Sequence, residues 1–230
     1  MPTSLVAKLA SIIDHAVLAP LATTGDLECA CIKAREYSIA SVCVKPWMVA
    51  GAATLLRGSG VVASTVIGFP QGGMHPRIKL AESAQALADG AGELDMVANL
   101  GWVAGGDWTK VFDEVHAIAK LCHRNKAKLK VILETCLLTE EQKRKLCEVA
   151  AEAGTDFVKT STGYSTAGYT RDDLLLMRAS VPTHVGIKAS GGVRTLGQAM
   201  ILMEAGINRI GTGSTWAILE EAKKAKRFEP

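Results

Sequence analysis

Two lysines lie where a protein chain could hold a nucleophilic amine. Lys159 ends the run Asp-Phe-Val-Lys and Lys188 ends the run Val-Gly-Ile-Lys, and both runs are short and apolar, as in a buried parallel strand. A lysine in such a place is poorly solvated, and a second cation nearby disfavours its charged form. Because a neutral amine attacks carbonyl carbons and an ammonium does not, the pair predicts Schiff-base chemistry.

A third ionisable residue, Asp95, lies inside the apolar segment Leu-Asp-Met-Val. Ionisable side chains within apolar strands are costly unless they are paired or used in catalysis. A purely structural ion network is the alternative interpretation of Asp95, Lys159 and Lys188. Lys159 and Lys188 are predicted at the ends of their strands and Asp95 within its strand. All three are expected to converge on the face of the barrel where such enzymes have their active sites, which favours a catalytic role.

Two glycine-rich turns predict a phosphate site. Ser-Gly-Gly at residues 190–192 and Gly-Thr-Gly-Ser at residues 211–214 each follow a predicted strand and precede a helix. Glycine lets backbone N–H groups approach an anion, and helix N-termini favour negative charge. Each turn alone could be a tight connection, but the last two turns of a barrel often bind phosphate together. Neither turn matches a dinucleotide fingerprint or a P-loop.

Several other classes of site are not indicated. The five histidines have no metal-binding spacing, so we expect no metal. No Gly-x-Ser-x-Gly elbow is present, which argues against a serine hydrolase. We expect no cofactor, because imine chemistry needs none. The six cysteines form no Cys-x-x-Cys pair, and the N-terminus lacks the pattern of a signal peptide. We therefore expect free thiols and a cytoplasmic location.

Composition restricts the partners that we expect. The chain has 230 residues, 48% hydrophobic and 21% charged, with a formal net charge of +3, which is typical of a globular protein. The basic residues are scattered, apart from a cluster at 223–227 that is expected to be a solvated helix end, so no nucleic-acid partner is predicted. No apolar run approaches the roughly 20 residues of a membrane span.

Short apolar segments alternate with amphipathic ones along the whole chain. Non-alternating apolar strands indicate a parallel sheet buried on both faces. Eight strand–helix units favour one (β/α)8 barrel domain over residues 1–230, with an open doubly wound sheet as the alternative. The predicted strands are 11–17, 41–44, 61–68, 93–98, 129–134, 157–160, 184–188 and 209–211. The predicted helices are 27–37, 47–57, 76–89, 108–125, 140–153, 171–179, 196–204 and 215–226.

Motifs along nearly the whole chain resemble the 2-deoxyribose-5-phosphate aldolase family. The most specific are Lys-Thr-Ser-Thr-Gly at 159–163 and Gly-Gly-Val-Arg-Thr at 191–195, and others are Ile-Asp-His at 13–15 and Glu-Leu-Asp-Met-Val-Ala-Asn at 93–99. The resemblance implies a class I aldolase on a (β/α)8 barrel. Such an enzyme reversibly cleaves 2-deoxy-D-ribose 5-phosphate, a phosphorylated sugar, to D-glyceraldehyde 3-phosphate and acetaldehyde.

The resemblance also implies roles for individual residues. Lys159 would form the imine, Lys188 would lower the pKa of Lys159, and Asp95 would move protons with Lys188. Thr162 would line the substrate channel. The residues that would hold the phosphate are Gly191, Gly192, Gly213 and Ser214.

Some positions differ from the common family pattern. Ala16 and Ala19 stand where many members have Thr and Lys, Lys45 replaces a common Asn, and Gly213 replaces a frequent Ser. Lys188 is followed by Ala-Ser rather than the frequent Pro-Ala, and residues 227–230 lack the C-terminal Tyr of some longer members. Two other functions stay open: a barrel isomerase or lyase that forms no imine, and a non-catalytic sensor of a phosphorylated metabolite. The residues leave open whether the chain is a monomer, a homodimer or a larger homo-oligomer.

Overall fold

The framework of the protein is a ring of eight parallel strands, seen in a computed structural model that describes residues 4–225. The strands are β1 Ile13–Val17, β2 Ser41–Val44, β3 Val62–Ile67, β4 Glu93–Val97, β5 Lys128–Ile132, β6 Phe157–Lys159, β7 Gly186–Ser190 and β8 Arg209–Thr212. Strand β1 closes the ring by pairing with β8, where Ile13 lies opposite Ile210. This closure confirms the predicted (β/α)8 barrel and shows that the open-sheet alternative is wrong.

Helices connect the strands and cover the outside of the ring. In the described part of the chain they are α1 Leu5–Ala10, α2 Thr24–Tyr37, α3 Val49–Leu56, α4 Pro76–Ala88, α5 Leu100–Gly105, α6 Trp108–Arg124, α7 Glu140–Glu152, α8 Arg171–Ser180, α9 Leu196–Glu204 and α10 Thr215–Ala225. Helix α7 begins with a reciprocal capping box formed by Thr139 and Gln142. None of these helices is long and apolar enough to cross a bilayer.

Alternation along the strands separates an apolar layer from a polar barrel interior. In β4, Leu94 and Met96 share one face and pack in the hydrophobic core between strands and helices. Glu93 and Asp95 share the other face, and Asp95 reaches Lys159 across the barrel. Both faces of the strands are therefore buried, although the side chains that point into the barrel include the charged ones.

Glycines make room for two large side chains inside the barrel. A Cβ atom at Gly186 would lie only 2.4 Å from the ring of Phe157 on the neighbouring strand. A Cβ atom at Gly211 would lie 3.0 Å from Cε of Lys188. These two glycines let Phe157 and Lys188 extend into the interior, which a side chain at either position would obstruct.

The structure also corrects parts of the predicted elements. Helices α1 and α5 were not predicted; each has only six residues, and such short helices depend on tertiary packing more than on local sequence. Strand β7 begins two residues later than predicted and continues to Ser190, so Lys188 lies within the strand rather than at its end. Lys159 does end β6, as predicted. The predicted C-terminal features at 226–230 lie outside the described residues.

Candidate active site

Lys159 and Lys188 lie side by side inside the barrel. They occupy paired positions on the neighbouring strands β6 and β7. Both residues are almost fully buried, at 3% and 1% exposure. Each Nζ donates a hydrogen bond to the same oxygen, Oδ2 of Asp95, at 2.7 Å. The three residues that the sequence singled out for chemistry thus form one connected group.

Burial and charge act on the two lysines with opposite net results. Burial lowers the pKa of Lys159; Asp95 opposes this shift, Lys188 adds to it, and the pKa lies below the ordinary lysine value. Burial alone would also lower the pKa of Lys188, but the carboxylates of Asp14 and Asp95 outweigh it and raise that pKa above its ordinary value. Lys188 therefore remains an ammonium, and Lys159 is the lysine that loses its proton more readily.

Asp95 is held as a carboxylate by the cations around it. Burial alone would raise the pKa of Asp95, but Lys130, Lys159 and Lys188 outweigh burial and keep the pKa well below its ordinary value. Lys130 Nζ donates to Asp95 Oδ1 at 2.8 Å. The carboxylate can stabilise a cation that forms beside it, and it accepts hydrogen bonds through both of its oxygens.

Four charged residues extend the site beyond the predicted set. They are fully or largely buried on the inward faces of β1, β4, β5 and β8: Asp14, Glu93, Lys130 and Arg209. Lys130 could have been found from the sequence, because it alternates with Leu129 and Val131 in an apolar strand. Glu93 and Arg209 begin their strands, where a charge is ordinarily solvated, so only the barrel geometry shows that they take part.

A cavity of about 380 Å³ opens above this group at the carboxyl ends of the strands. Its floor includes Lys159 and Lys188, while Asp95 lies just below, fully buried. The cavity is large enough for a phosphorylated five-carbon sugar, since small-molecule sites span about 300–1,000 Å³. The other predicted site residues also line it: Thr162, Gly191, Gly192, Gly213 and Ser214.

The two glycine-rich turns form one wall of the cavity. Gly191 and Gly192 adopt φ angles of +81° and +93°, a region of backbone conformation that residues other than glycine rarely occupy. No atom lies within 4 Å of a Cβ atom built at Gly192, so the backbone there borders open space. Gly213 and Ser214 immediately precede α10, whose positive dipole end faces the same cavity. This wall suits an anion such as a phosphate.

Glu134 anchors the rim of the cavity. It has a φ angle of +55°, unusual for a residue with a side chain, and its carboxylate is buried. That carboxylate accepts hydrogen bonds from the backbone N–H of Thr162, at 3.1 Å, and from the Thr162 hydroxyl. Thr162 in turn accepts from the backbone N–H of Tyr164. The sequence placed Glu134 at a strand end but gave no reason to connect it with Thr162.

The positions that differ from the common family pattern lie at the edge of the site. Ala16 and Ala19 line the cavity and add no polar group to it. Lys45 points away from the reacting lysines and donates to the carbonyl oxygens of Pro20 and Ala22. Ser190, which follows Ala189, donates to the carbonyl of Ser161 at 2.6 Å and so ties β7 to the loop after β6.

Comparison with known proteins agrees with this geometry. Residues 8–215 match the family model described as DeoC/LacD family aldolase. The chain is 47% identical over 220 residues to deoxyribose-phosphate aldolase of Thermococcus gammatolerans, covering 95% of this chain and 98% of the relative. It is 47% identical over 213 residues to the enzyme of that name from Clostridium perfringens strain 13, covering 93% and 95%.

A solved structure supports the same assignment. The deoxyribose phosphate aldolase of Aeropyrum pernix superposes with a TM-score of 0.89 at 34% identity, covering 96% of this chain and 93% of that chain. Fold, site geometry and sequence similarity over nearly the full length all point in one direction. The protein belongs to the DeoC/LacD family of aldolases.

Proposed function

We infer that the protein is a class I aldolase that reversibly cleaves 2-deoxy-D-ribose 5-phosphate to D-glyceraldehyde 3-phosphate and acetaldehyde. The observation that supports this most directly is a buried lysine of lowered pKa, Lys159, on the floor of a cavity with an anion-binding wall. The identity of the substrate is inferred from the relatives that are named deoxyribose-phosphate aldolase. The residue roles below extend that inference.

Lys159 acts as the nucleophile in this proposal. Its neutral amine attacks the C1 aldehyde of the open-chain sugar to form a carbinolamine. The carbinolamine takes up one proton and loses water, which gives a protonated imine. The new positive charge forms on the nitrogen that lies 2.7 Å from Oδ2 of Asp95. The Asp95 carboxylate therefore stabilises the iminium ion in a buried site, where such an interaction is stronger than in water.

Cleavage then uses the imine as an electron sink. The C3 hydroxyl gives its proton to a base, the C2–C3 bond breaks, and its electron pair forms the enamine while glyceraldehyde 3-phosphate departs. Protonation at C2 and hydrolysis of the resulting imine release acetaldehyde and free Lys159. We assign these proton transfers to Asp95 and the Lys188 ammonium acting through water, since Asp95 Oδ2 accepts a hydrogen bond from both Lys159 and Lys188.

The phosphate end of the substrate provides the orientation. Gly191, Gly192, Gly213 and Ser214 hold the phosphate in this proposal, and Thr162 borders the path of the sugar between them and Lys159. Binding energy from a group remote from the reaction places C1 near the amine and lowers the entropic part of the barrier.

Borohydride trapping tests this function. With acetaldehyde, reduction should leave an ethyl group on Lys159, located by peptide mass mapping, and Lys159→Arg should abolish both the adduct and turnover. Lys120→Met is a matched control, because Lys120 is an exposed lysine on the outer helix α6. Turnover without an adduct would indicate an imine-free isomerase or lyase. Ligand binding without turnover would indicate a sensor, and either result refutes the proposal.

We also propose that the chain works as one barrel domain in a homo-oligomer. The Aeropyrum pernix relative is described as a tetramer. Large apolar side chains such as Leu21, Ile32, Trp47 and Ile201 are more than half exposed here and could be covered in an assembly. Light scattering gives the mass, and a monomer at working concentration would contradict the oligomer. More than one unfolding transition would contradict the single domain.

A further inference from the structure

Seven ionisable side chains meet inside the barrel with unequal numbers of charges. We call them the charge cluster, and they are the carboxylates Asp14, Glu93 and Asp95 and the cations Lys130, Lys159, Lys188 and Arg209. If every member were ionised, four positive charges would face three negative ones. An excess charge in a buried site is unfavourable, so one cation is under pressure to lose its proton.

The contacts within the charge cluster single out Lys159. Lys188 lies 2.6 Å from Asp14 and 2.7 Å from Asp95, so it is balanced by two carboxylates. Lys130 likewise lies 2.6 Å from Glu93 and 2.8 Å from Asp95. Lys159 contacts one carboxylate oxygen, which it shares with Lys188. Of the three lysines, Lys159 has the least compensation for a positive charge.

Arg209 binds two of the three carboxylates of the charge cluster. Its guanidinium lies 2.5 Å from Asp14 and 2.7 Å from Glu93, and it stacks over the ring of Phe157. Because a guanidinium does not deprotonate in proteins, its charge is permanent. Arg209 therefore partly neutralises two carboxylates, Asp14 and Glu93, that could otherwise neutralise lysines. The lysine left with the least negative charge beside it is Lys159, which has the fewest carboxylate contacts.

Arg209 does not itself line the substrate cavity, although its partner Asp14 does. It is the first residue of β8, and Glu93 is the first residue of β4, so both lie toward the amino ends of the strands. Neither residue lines the cavity, which lies at the carboxyl ends. An effect of Arg209 on the reaction must therefore act through the charge cluster rather than through contact with substrate.

No other charged side chain of residues 4–225 forms an ion pair with the charge cluster. The Cys43 thiol on β2 is neutral, because burial raises its pKa, and β3 contributes the hydroxyl of Ser64. Above the cluster, Glu134 is engaged by Thr162. Further charged or titratable side chains at the rim and at the opposite end of the barrel are Tyr164, Arg194 and the exposed Lys128.

We propose that Arg209 is a positioning residue that makes Lys159 the free amine of the charge cluster. Its positive charge partly neutralises Asp14 and Glu93, so these carboxylates stabilise the protonated form of Lys159 less. Glu93 has the opposite effect, since its carboxylate supplies negative charge to the same cluster. This proposal rests on the imine chemistry proposed above. It adds that the reactivity of Lys159 is set in part by residues that never touch the substrate.

The test is the pH dependence of borohydride trapping at Lys159. In Arg209→Met, three cations face three carboxylates with Lys159 protonated, so the midpoint of trapping should move to higher pH by about one unit. In Glu93→Gln, the positive excess grows and the midpoint should move to lower pH. The double variant has the same excess of one positive charge as the natural protein, so its midpoint should return toward that of the natural protein. Arg209→Lys keeps the positive charge and should have a midpoint close to that of the natural protein.

The outcomes separate this proposal from the proposed function. A natural protein that forms no adduct at Lys159 would refute the imine mechanism itself. Normal trapping in the natural protein, with midpoints unmoved in Arg209→Met and Glu93→Gln, would overturn the selection by Arg209 alone. A merely structural role for Arg209 predicts a lower melting temperature and less adduct with an unchanged midpoint. If Arg209→Met does not fold, the acidic shift in Glu93→Gln still decides.

Discussion

Replacing Lys188 by methionine should raise the pKa of Lys159 and move imine formation to higher pH. The two Nζ atoms each lie 2.7 Å from one oxygen of Asp95, so they are separated by no more than twice that distance. Two unit charges roughly 5 Å apart interact by about 3 kcal/mol at an effective dielectric constant of about 20. That energy corresponds to roughly two pKa units.

The sign of the shift follows from the charges. Removing the Lys188 ammonium removes a repulsion that disfavours protonated Lys159, and it leaves Asp95 with one fewer cation to balance. Both changes favour the ammonium form of Lys159. At neutral pH the fraction of free amine should fall about a hundredfold, and it should recover about tenfold for each unit of increasing pH until the new pKa is reached.

The assay should measure the initial rate of acetaldehyde trapping by borohydride between mildly acidic and strongly alkaline pH. Trapping is preferable to turnover, because Lys188 is also assigned to proton transfer and its loss would slow the later steps at every pH. Lys120→Met removes an exposed lysine of the outer helix α6 and should leave the profile unchanged. A Lys188→Met profile that coincides with that of the natural protein would refute the electrostatic coupling of the two lysines.

Two further changes test other parts of the structure. Gly192→Ala places a residue with a Cβ atom at a φ of +93°, at a cost of about 1–2 kcal/mol, and should weaken phosphate binding. The KM should therefore rise for 2-deoxyribose 5-phosphate but not for unphosphorylated 2-deoxyribose. Equal effects on both sugars would argue against a phosphate site at Gly192. Lys79→Met leaves the buried carboxylate of Glu114 without the ammonium 2.9 Å away and should lower the free energy of unfolding in urea by about 3–5 kcal/mol. Lys79→Met combined with Glu114→Leu should recover much of that loss, and a double variant no more stable than the single one would contradict this account.

The sequence by itself determined the fold class and the chemistry of the site. Non-alternating apolar strands separated by amphipathic helices predicted the closed barrel, because a parallel sheet must be covered on both faces. Lys159, Lys188 and Asp95 were recognisable because burying a charge within an apolar strand costs free energy unless the charge is paired or used in catalysis. Glycine pairs in the last two turns predicted the anion-binding wall for a similar local reason, since backbone conformation there depends on the residue type.

Tertiary structure alone decided which charges face one another. Asp14 on β1 and Arg209 on β8 are far apart in the chain, and they meet because the sheet closes on itself. Glu134 and Thr162 are likewise joined by the packing of successive loops at the rim. The pKa of Lys159 depends on distances between side chains from different strands, and such distances are set by barrel closure rather than by local sequence.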